Sequence, residues 1–379
     1  MKLTIERAAL LKSLGHVQSV VERRNTIPIL AHVLIVADGD RLSLTATDMD
    51  LTMVESAPAD VANSGQATAP AHTLHEIVRK LPDGSQVAIE RDDAGGRITV
   101  RAGRSRFTLP CLPAEDFPAL GSGDLPHAFR LPAKALRELI DRTRFAISTE
   151  ETRYYLNGIY VHAAASDGDG GGDGGGPVLR AVATDGHRLA RFQMAAPDGA
   201  GDIPGIIVPR KAVNELRKLL DDSEEEVQVS LSEVSVRFAF DDVVLTSKLI
   251  DGTFPDYERV IPSANDKVME VDCKTFAAAV DRVATISTDR SRAVKIALDA
   301  GTITVSATSP ENGSASEEVE AAYDSDAIEI GFNARYLLDI TDRISGDDCR
   351  FVLADGASPT LVRDGGAPGA LYVLMPMRV

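Results

Sequence analysis

The sequence predicts three consecutive α+β domains of one design, each of ~120 residues. Three observations carry that reading. A helical stripe recurs as Leu10, Leu14, Val17, Val21, as Leu136, Ile140, Thr143, Ile147, and as Phe276, Val280, Val283, Ile286. A strand block recurs as LSLTATD (42–48), LRAVATD (179–185) and ITVSATS (303–309). The offsets agree: Thr47 to Thr184 is 137 residues, and Pro70 to Pro209 and Ile147 to Ile286 are each 139.

Each stripe has the i, i+3/i+4 spacing that buries one face of a helix. Helices are therefore expected over 7–24, 132–148 and 272–287. A second helical set is expected at 70–81, 209–220 and 333–345, begun by Pro70, Pro209 and Asn333, which suit an N-cap or first turn. The strand blocks alternate with period two, as half-buried strands do. FTLPCLPAEDFP (107–118) and LTSKLIDGTFP (245–255) form another matched pair. The third strand block follows the second by only 124 residues, and SDGDGGGDGGG at 166–176 is present in the middle copy alone. Its composition reads as a solvated hairpin linker, with no Gly-Lys-Ser/Thr to make a phosphate loop. Domain boundaries are expected at 1–124, 125–258 and 259–379.

At 379 residues and 40.4 kDa the chain exceeds what one core usually serves. With 44% apolar and 26% charged residues it is neither disordered nor fibrous. The N-terminus lacks a signal-peptide pattern, so a cytoplasmic location and no membrane partner are expected. Three scattered cysteines, Cys111, Cys273 and Cys349, suggest neither a disulfide framework nor a zinc site. Neither a metal nor a cofactor is expected.

The net charge of −17 would repel a polyanion. Its distribution is uneven: the six expected helices sum to +9, leaving −26 elsewhere. Helices collect Lys and Arg as good helix formers, but segregation on this scale suggests one surface for a phosphate backbone and another that repels it. At physiological salt the Debye length is ~8 Å, so a shielded basic face would barely feel the acidic one. No zinc finger, helix-turn-helix or aromatic RNA-binding strand is present, and aromatics are only 5%. DNA binding would be through the backbone, without sequence preference.

RYYLNG (153–158), ATDGHRLA (183–190), VPRK (208–211), TSKLIDGTFPDY (246–257), GFNARYLLDI (331–340) and YVLMPMRV (372–379), with TLPCLPAEDFP in the first repeat, resemble the bacterial β sliding clamp family, the processivity factors of DNA polymerase III. The resemblance spans the whole chain. It implies the DNA-clamp fold, with inner helices and outer antiparallel sheets, in a ring-shaped head-to-tail homodimer around duplex DNA. It implies a non-catalytic tether for the replicative polymerase. Short linear peptides of polymerases, the clamp loader, repair polymerases, ligase or mismatch-repair proteins would dock on it. ATP would be hydrolysed by the loader, and the location would be at the nucleoid.

By motif position, the resemblance assigns DNA contact to Arg24, Arg153, Tyr154, Tyr155, Arg210 and Lys211. It assigns the peptide pocket to Leu156, Thr184, Gly186, His187, Arg188, Leu189, Pro255, Arg259, Val260, Asn333, Tyr336, Val373, Leu374, Met375, Pro376, Met377 and Arg378. Leu, Val, Pro and Met give an adaptable apolar surface, while His187, Arg188, Asn333 and Arg378 offer hydrogen bonds to a peptide backbone or a Gln. It assigns the dimer seam to Thr285, Ile286, Arg290 and Arg292 against Arg104, Arg106, Phe107 and Leu109. Thr285 stands where a larger apolar residue is usual, and Glu258 where a second base is common.

Read without the resemblance, TDGHRLA is a strand, a turn at Asp185-Gly186 and a strand, and Met375-Pro376-Met377 is the end of an edge strand. Asp185 and His187 lack the nucleophile elbow or metal motif that would make them catalytic. A clamp-like paralogue serving repair or drug tolerance as a peptide scaffold is the alternative reading.

Overall fold

The computed structural model describes all residues except 93–95, 119–122, 167–175, 288–291 and 379. Most of the Gly/Asp insert, Arg290 and Val379 therefore lie outside the described residues.

The triplication is explicit in the order of elements. The first repeat runs β1 (Lys2–Glu6), α1 (Arg7–Val17), β2 (His32–Asp38), β3 (Arg41–Thr47), β4 (Leu51–Pro58), β5 (Asp60–Asn63), β6 (Gly65–Pro70), α2 (Ala71–Lys80), β7 (Gln86–Arg91), β8 (Arg97–Ala102), β9 (Ser105–Pro110). The second runs β10 (His127–Pro132), α3 (Ala133–Asp141), β11 (Gly158–Ala165), β12 (Pro177–Thr184), β13 (Arg188–Ala195), β14 (Ile206–Pro209), α4 (Arg210–Leu219), β15 (Glu226–Leu231), β16 (Ser235–Phe240), β17 (Val243–Lys248). The third runs β18 (Lys267–Asp272), α5 (Cys273–Ala284), β19 (Ala293–Asp299), β20 (Thr302–Ser309), β21 (Gly313–Glu320), β22 (Ile328–Asn333), α6 (Ala334–Thr341), β23 (Asp348–Leu353), β24 (Thr360–Asp364), β25 (Ala370–Leu374). Among the described residues, the strands and α-helices follow one pattern but for the short β5.

All six expected helices form, each shorter than its stripe. In α1, Leu10, Leu14 and Val17 are fully buried, but the helix ends at Val17, so Arg23 and Arg24 lie on the following loop and not on a helix. Val21 is still buried there, which is how the stripe outran the helix. Side chains cap α1, α5 and α6: Glu6 accepts from the Ala9 amide, Asp272 from Thr275 and Asn333 from Arg335. Such caps satisfy amides that the helix itself leaves open. The helices as formed hold 13 bases against 6 acids, so the charge skew survives their shortening.

The chain divides into two compact units, Met1–Leu136 with Lys211–Leu249, and Arg137–Arg210 with Ile250–Val379. Neither unit is a single repeat, because sheets run on from one repeat into the next. In the first unit β17 pairs antiparallel with β4, giving an eight-stranded sheet β10-β15-β16-β17-β4-β3-β2-β6. In the second, β13 pairs with β25, giving β14-β11-β12-β13-β25-β24-β23-β18. Each unit has one further sheet, β5-β1-β7-β8-β9 in the first and β21-β20-β19-β22 in the second.

The expectation of no disulfide fails at one pair. Cys273 and Cys349 are bonded, with Cα atoms 5.1 Å apart across a separation of 76 residues. Val271 of β18 registers with Cys349 of β23, and α5 starts straight after β18, which carries residue 273 to its partner. Spacing along the chain gave no sign of a contact made by sheet register. Cys111 is half-buried and unbonded.

Candidate functional site

The site grows from the β12–β13 hairpin in the second unit. Asp185 Oδ1 accepts hydrogen bonds from the amides of His187 (2.9 Å) and Arg188 (3.0 Å). The Gly186 amide donates to Thr184 Oγ1 (3.1 Å), whose hydroxyl donates to the Arg188 carbonyl (2.7 Å). Gly186 has φ +87°, which glycine alone adopts without strain, and a Cβ there would lie 2.4 Å from Arg153 Nη1. Asp185 is thus a turn-former, which accounts for the Asp-x-His spacing without chemistry.

Arg188 fastens the site from below. It is 8% exposed, and donates from Nε to Asp185 Oδ2 (3.0 Å), from Nη1 to Asp339 Oδ2 (2.5 Å) and from Nη2 to the Phe145 carbonyl (2.6 Å). Its guanidinium also lies 4.3 Å from the centre of the Tyr336 ring. These bonds engage Arg188 within the chain and hold β13 to α6. Asp339 and Phe145 were missed by the sequence reading; the only signal was Asp339 lying three residues past Tyr336, on the same helical face.

The floor is apolar. Leu156, Leu189 and Val373 belong to one buried cluster with Val182, Ile207, Phe254, Tyr257, Leu361 and Leu371. Around it Val260 is 48% and Met375 38% exposed, with Pro255 and Arg259 also exposed. Arg259 pairs with Asp256 at 2.7 Å. His187 stacks on Tyr336 with ring centres 6.4 Å apart. The tail is stitched in place: Met375 N donates to the His187 carbonyl (2.9 Å), and Met377 N to the Gly331 carbonyl (2.8 Å). Pro376, Met377 and Arg378 line an adjoining cleft of about 870 Å³ with Lys295 and Glu329.

Two expected pocket residues are engaged in the fold itself. Leu374 is fully buried, on the opposite face of β25 from Val373, because neighbours on a strand point opposite ways. It supports the groove without lining it. Asn333 spends its side-chain oxygen capping α6 (3.0 Å to the Arg335 amide). Glu258 has a local reason: its Oε1 pairs at 2.9 Å with Arg180, a fully buried arginine that also donates to Gln193 (2.8 Å). An ionised guanidinium in a core needs such a counter-charge.

Of the DNA set, Arg24, Arg210 and Tyr154 are exposed. Arg153 pairs with Glu150 at 2.7 Å, and Tyr155 packs half-buried on the floor cluster. Lys211 departs from expectation. Its ammonium sits between Asp48 (2.6 Å) and Glu22 and donates to the Val20 carbonyl (3.0 Å), so it is tied to the first unit's own acids. Burial alone would lower its pKa, but those two carboxylates outweigh it and raise it.

Of the seam set, Arg104 and Arg106 are exposed on the β8–β9 turn and β9, Phe107 is half-buried and Leu109 buried. β9 is the edge of its sheet. Thr285 is exposed, Ile286 half-buried and Arg292 exposed, next to a sheet whose own edge is β21.

Fold and site define a scaffold: three repeated domains, an apolar surface over one buried cluster, and polar groups paired within the chain. Models of the DNA polymerase III beta subunit match in series, the N-terminal domain at residues 1–121, the central domain at 130–256 and the C-terminal domain at 258–378. The beta sliding clamp of Caulobacter vibrioides is 57% identical over 379 residues, and that of Escherichia coli K12 38% over 383, each covering all of both chains. A DnaN sliding clamp from Bartonella birtlesii, solved bound to griselimycin, superposes with a TM-score of 0.95 at 49% identity over all of both chains. The sliding clamp from Caulobacter crescentus gives 0.93 at 57%, again over all of both. The chain belongs to the DNA polymerase III beta subunit family, the bacterial sliding clamps. It is a non-catalytic processivity factor, of a family that binds DNA and polymerase. No described helix is long and apolar enough to cross a membrane.

Proposed function

We propose that two copies of this chain close head to tail around duplex DNA in the cytoplasm, at the nucleoid, and that the groove over Leu156, Leu189 and Val373 takes short peptides. Those peptides come from the polymerase, the clamp loader, repair polymerases, ligase and mismatch-repair proteins. The domain boundaries fall near 124 and 258.

One observation supports the ring: two of the chain's edge strands, β9 and β21, carry opposite charge. β9 and its turn present Arg104 and Arg106, with Arg97 and Arg101 on the neighbouring β8, while β21 presents Glu317, Glu318 and Glu320. Open edges invite strand pairing, and opposite charges select which edges meet. Head-to-tail pairing of β9 on β21 satisfies both strands, and a ring of two copies is the closed form of such pairing. Sedimentation tests this. Arg104→Glu with Arg106→Glu is expected to shift the dimer to monomer, and adding Glu318→Arg with Glu320→Arg to restore it. A dimer indifferent to both changes contradicts the seam.

DNA contact rests on exposed bases that touch only phosphate. Arg24→Gln with Arg210→Gln is expected to weaken retention equally on all sequences and to reduce the salt slope by about 2. Losses that depend on sequence would contradict sliding. Lys211→Gln is expected to act differently, lowering stability because it strips a cation from the nearly buried Asp48.

A further inference from the structure

The geometry points to Arg180 as a positioning residue for the peptide groove, fixing from beneath the turn at Tyr257–Val260 that carries the groove's rim. This deepens the groove reading and rests on it. The turn is a single 3-10 turn outside the sheets, closed on itself by the Ile261 amide on the Glu258 carbonyl (3.2 Å). Its last two residues are Arg259 and Val260, both exposed. Such a segment takes its place from what its side chains grip, and two of them grip one buried cation. Arg180 Nη1 donates to Glu258 Oε1 (2.9 Å) and to Tyr257 Oη (3.3 Å).

Sheet register puts the cation there. Arg180 of β12 lies opposite His162 of β11 and Gln193 of β13. Its Nε donates to Gln193 Oε1 (2.8 Å) and its Nη2 to the Ala165 carbonyl (3.2 Å), so the guanidinium is anchored in the sheet that it ties to the turn. Two residues along β12, on the same face, Val182 belongs to the groove's floor cluster, and so does Tyr257. The polar hold and the apolar floor are therefore neighbours on one surface.

The Tyr257 hydroxyl is aimed by His162. Nδ1 of that ring lies 2.9 Å from the Ala163 carbonyl and Nε2 3.0 Å from Tyr257 Oη. A carbonyl can only accept, so in the neutral ring Nδ1 carries the proton and Nε2 accepts from the tyrosine. The tyrosine oxygen is then left to accept from Arg180. Burial, reinforced by Arg180 and Arg191, holds the His162 pKa below the ordinary 6.5 against the pull of the Ala163 carbonyl and Glu258, so the ring is neutral at neutral pH. Stacking secures the start of the same segment: Phe254 lies on Tyr160 with centres 4.9 Å apart, and Tyr160 on His162 at 4.7 Å. A rim held before a peptide arrives loses less freedom on binding than one the peptide must order.

The test uses fluorescence anisotropy with the full-length protein and a labelled hexapeptide containing one Gln and two Leu, read well below the melting temperature. Glu258→Ala is expected to weaken binding about 5-fold, the ordinary size of one hydrogen bond, and Arg180→Met about 10-fold. In the Arg180→Met background, Glu258→Ala is expected to cost nothing further, because both changes break the same link. Lower melting temperatures with unchanged peptide affinity would show a role in folding alone and overturn the inference. An equal loss from Glu258→Ala with and without Arg180 would mean that Glu258 acts on the peptide directly, and overturns it too. Failure of the unaltered protein to bind the peptide overturns the groove reading and this inference together. Should Arg180→Met unfold, Tyr257→Phe, which deletes only the buried hydroxyl, takes its place: a weakening of about 3-fold supports the inference and an unchanged affinity overturns it.

Discussion

Replacing Arg142 by methionine is expected to destabilise the second unit by about 3–5 kcal/mol, the usual cost of leaving a buried charge without its partner. Arg142 is 8% exposed. It donates at 2.6 Å to Asp364 Oδ2, and also to the Arg343 carbonyl and Ser345 Oγ. The Asp364 side chain is fully buried and further held by the amides of Ser345 (2.8 Å), Gly346 (3.1 Å) and Gly366 (2.8 Å). Burial by itself would raise the Asp364 pKa, but those amides and Arg142 outweigh it and hold it below the ordinary 3.8. A depressed carboxylate contributes stability that is present above 3.8 and is lost as pH falls through the lower folded value. In the variant the carboxyl loses its cation and takes up a proton more readily. The gap between the two proteins is therefore widest near neutrality and narrows in acid. Nearby Tyr372, pushed up to about 12 mainly by burial, stays neutral throughout. Thermal unfolding from pH 7 down to about pH 2.5 measures this, and a gap that does not narrow below pH 4 contradicts the assignment.

Removing Met375–Val379 is expected to weaken peptide binding by at least ~100-fold, in the range of a lost hot spot, while leaving the protein folded and dimeric. The described part of this tail gives up two backbone hydrogen bonds, Met375 to His187 and Met377 to Gly331. β25 ends at Leu374, so its pairing with β13 and β24 survives, and Val373 stays in the floor. What goes is the exposed wall of the groove. Anisotropy with the labelled peptide and sedimentation read the two halves of the prediction. A monomer after truncation would contradict the placing of the seam at β9 and β21.

The sequence and the structure part company where contacts are made across strands. The stripes at Leu10, Leu136 and Phe276 located helices, because periodicity is a local property. They overran at Val21 because a buried residue on a loop looks like one more turn. The hairpin at Asp185-Gly186 was legible from turn chemistry, and the residues of the proposed pocket were assigned from motifs alone. The long-range ion pairs were not legible: Arg188 to Asp339 spans 151 residues, Arg180 to Glu258 78, and Lys211 to Asp48 163. The Cys273–Cys349 bond belongs to the same class, since it exists only through register. Charge along the chain showed that bases gather on helices. It could not tell Arg210, exposed, from Lys211, already paired.

The central claim is topological linkage to DNA, and a nicked circular plasmid tests it most directly. The protein is loaded with its clamp loader and ATP, washed in high salt, and measured before and after the circle is linearised. Retention on the circle and loss on linearisation is the predicted result. Equal, salt-sensitive binding to both forms would contradict the ring and leave only surface attraction between exposed bases and the phosphate backbone.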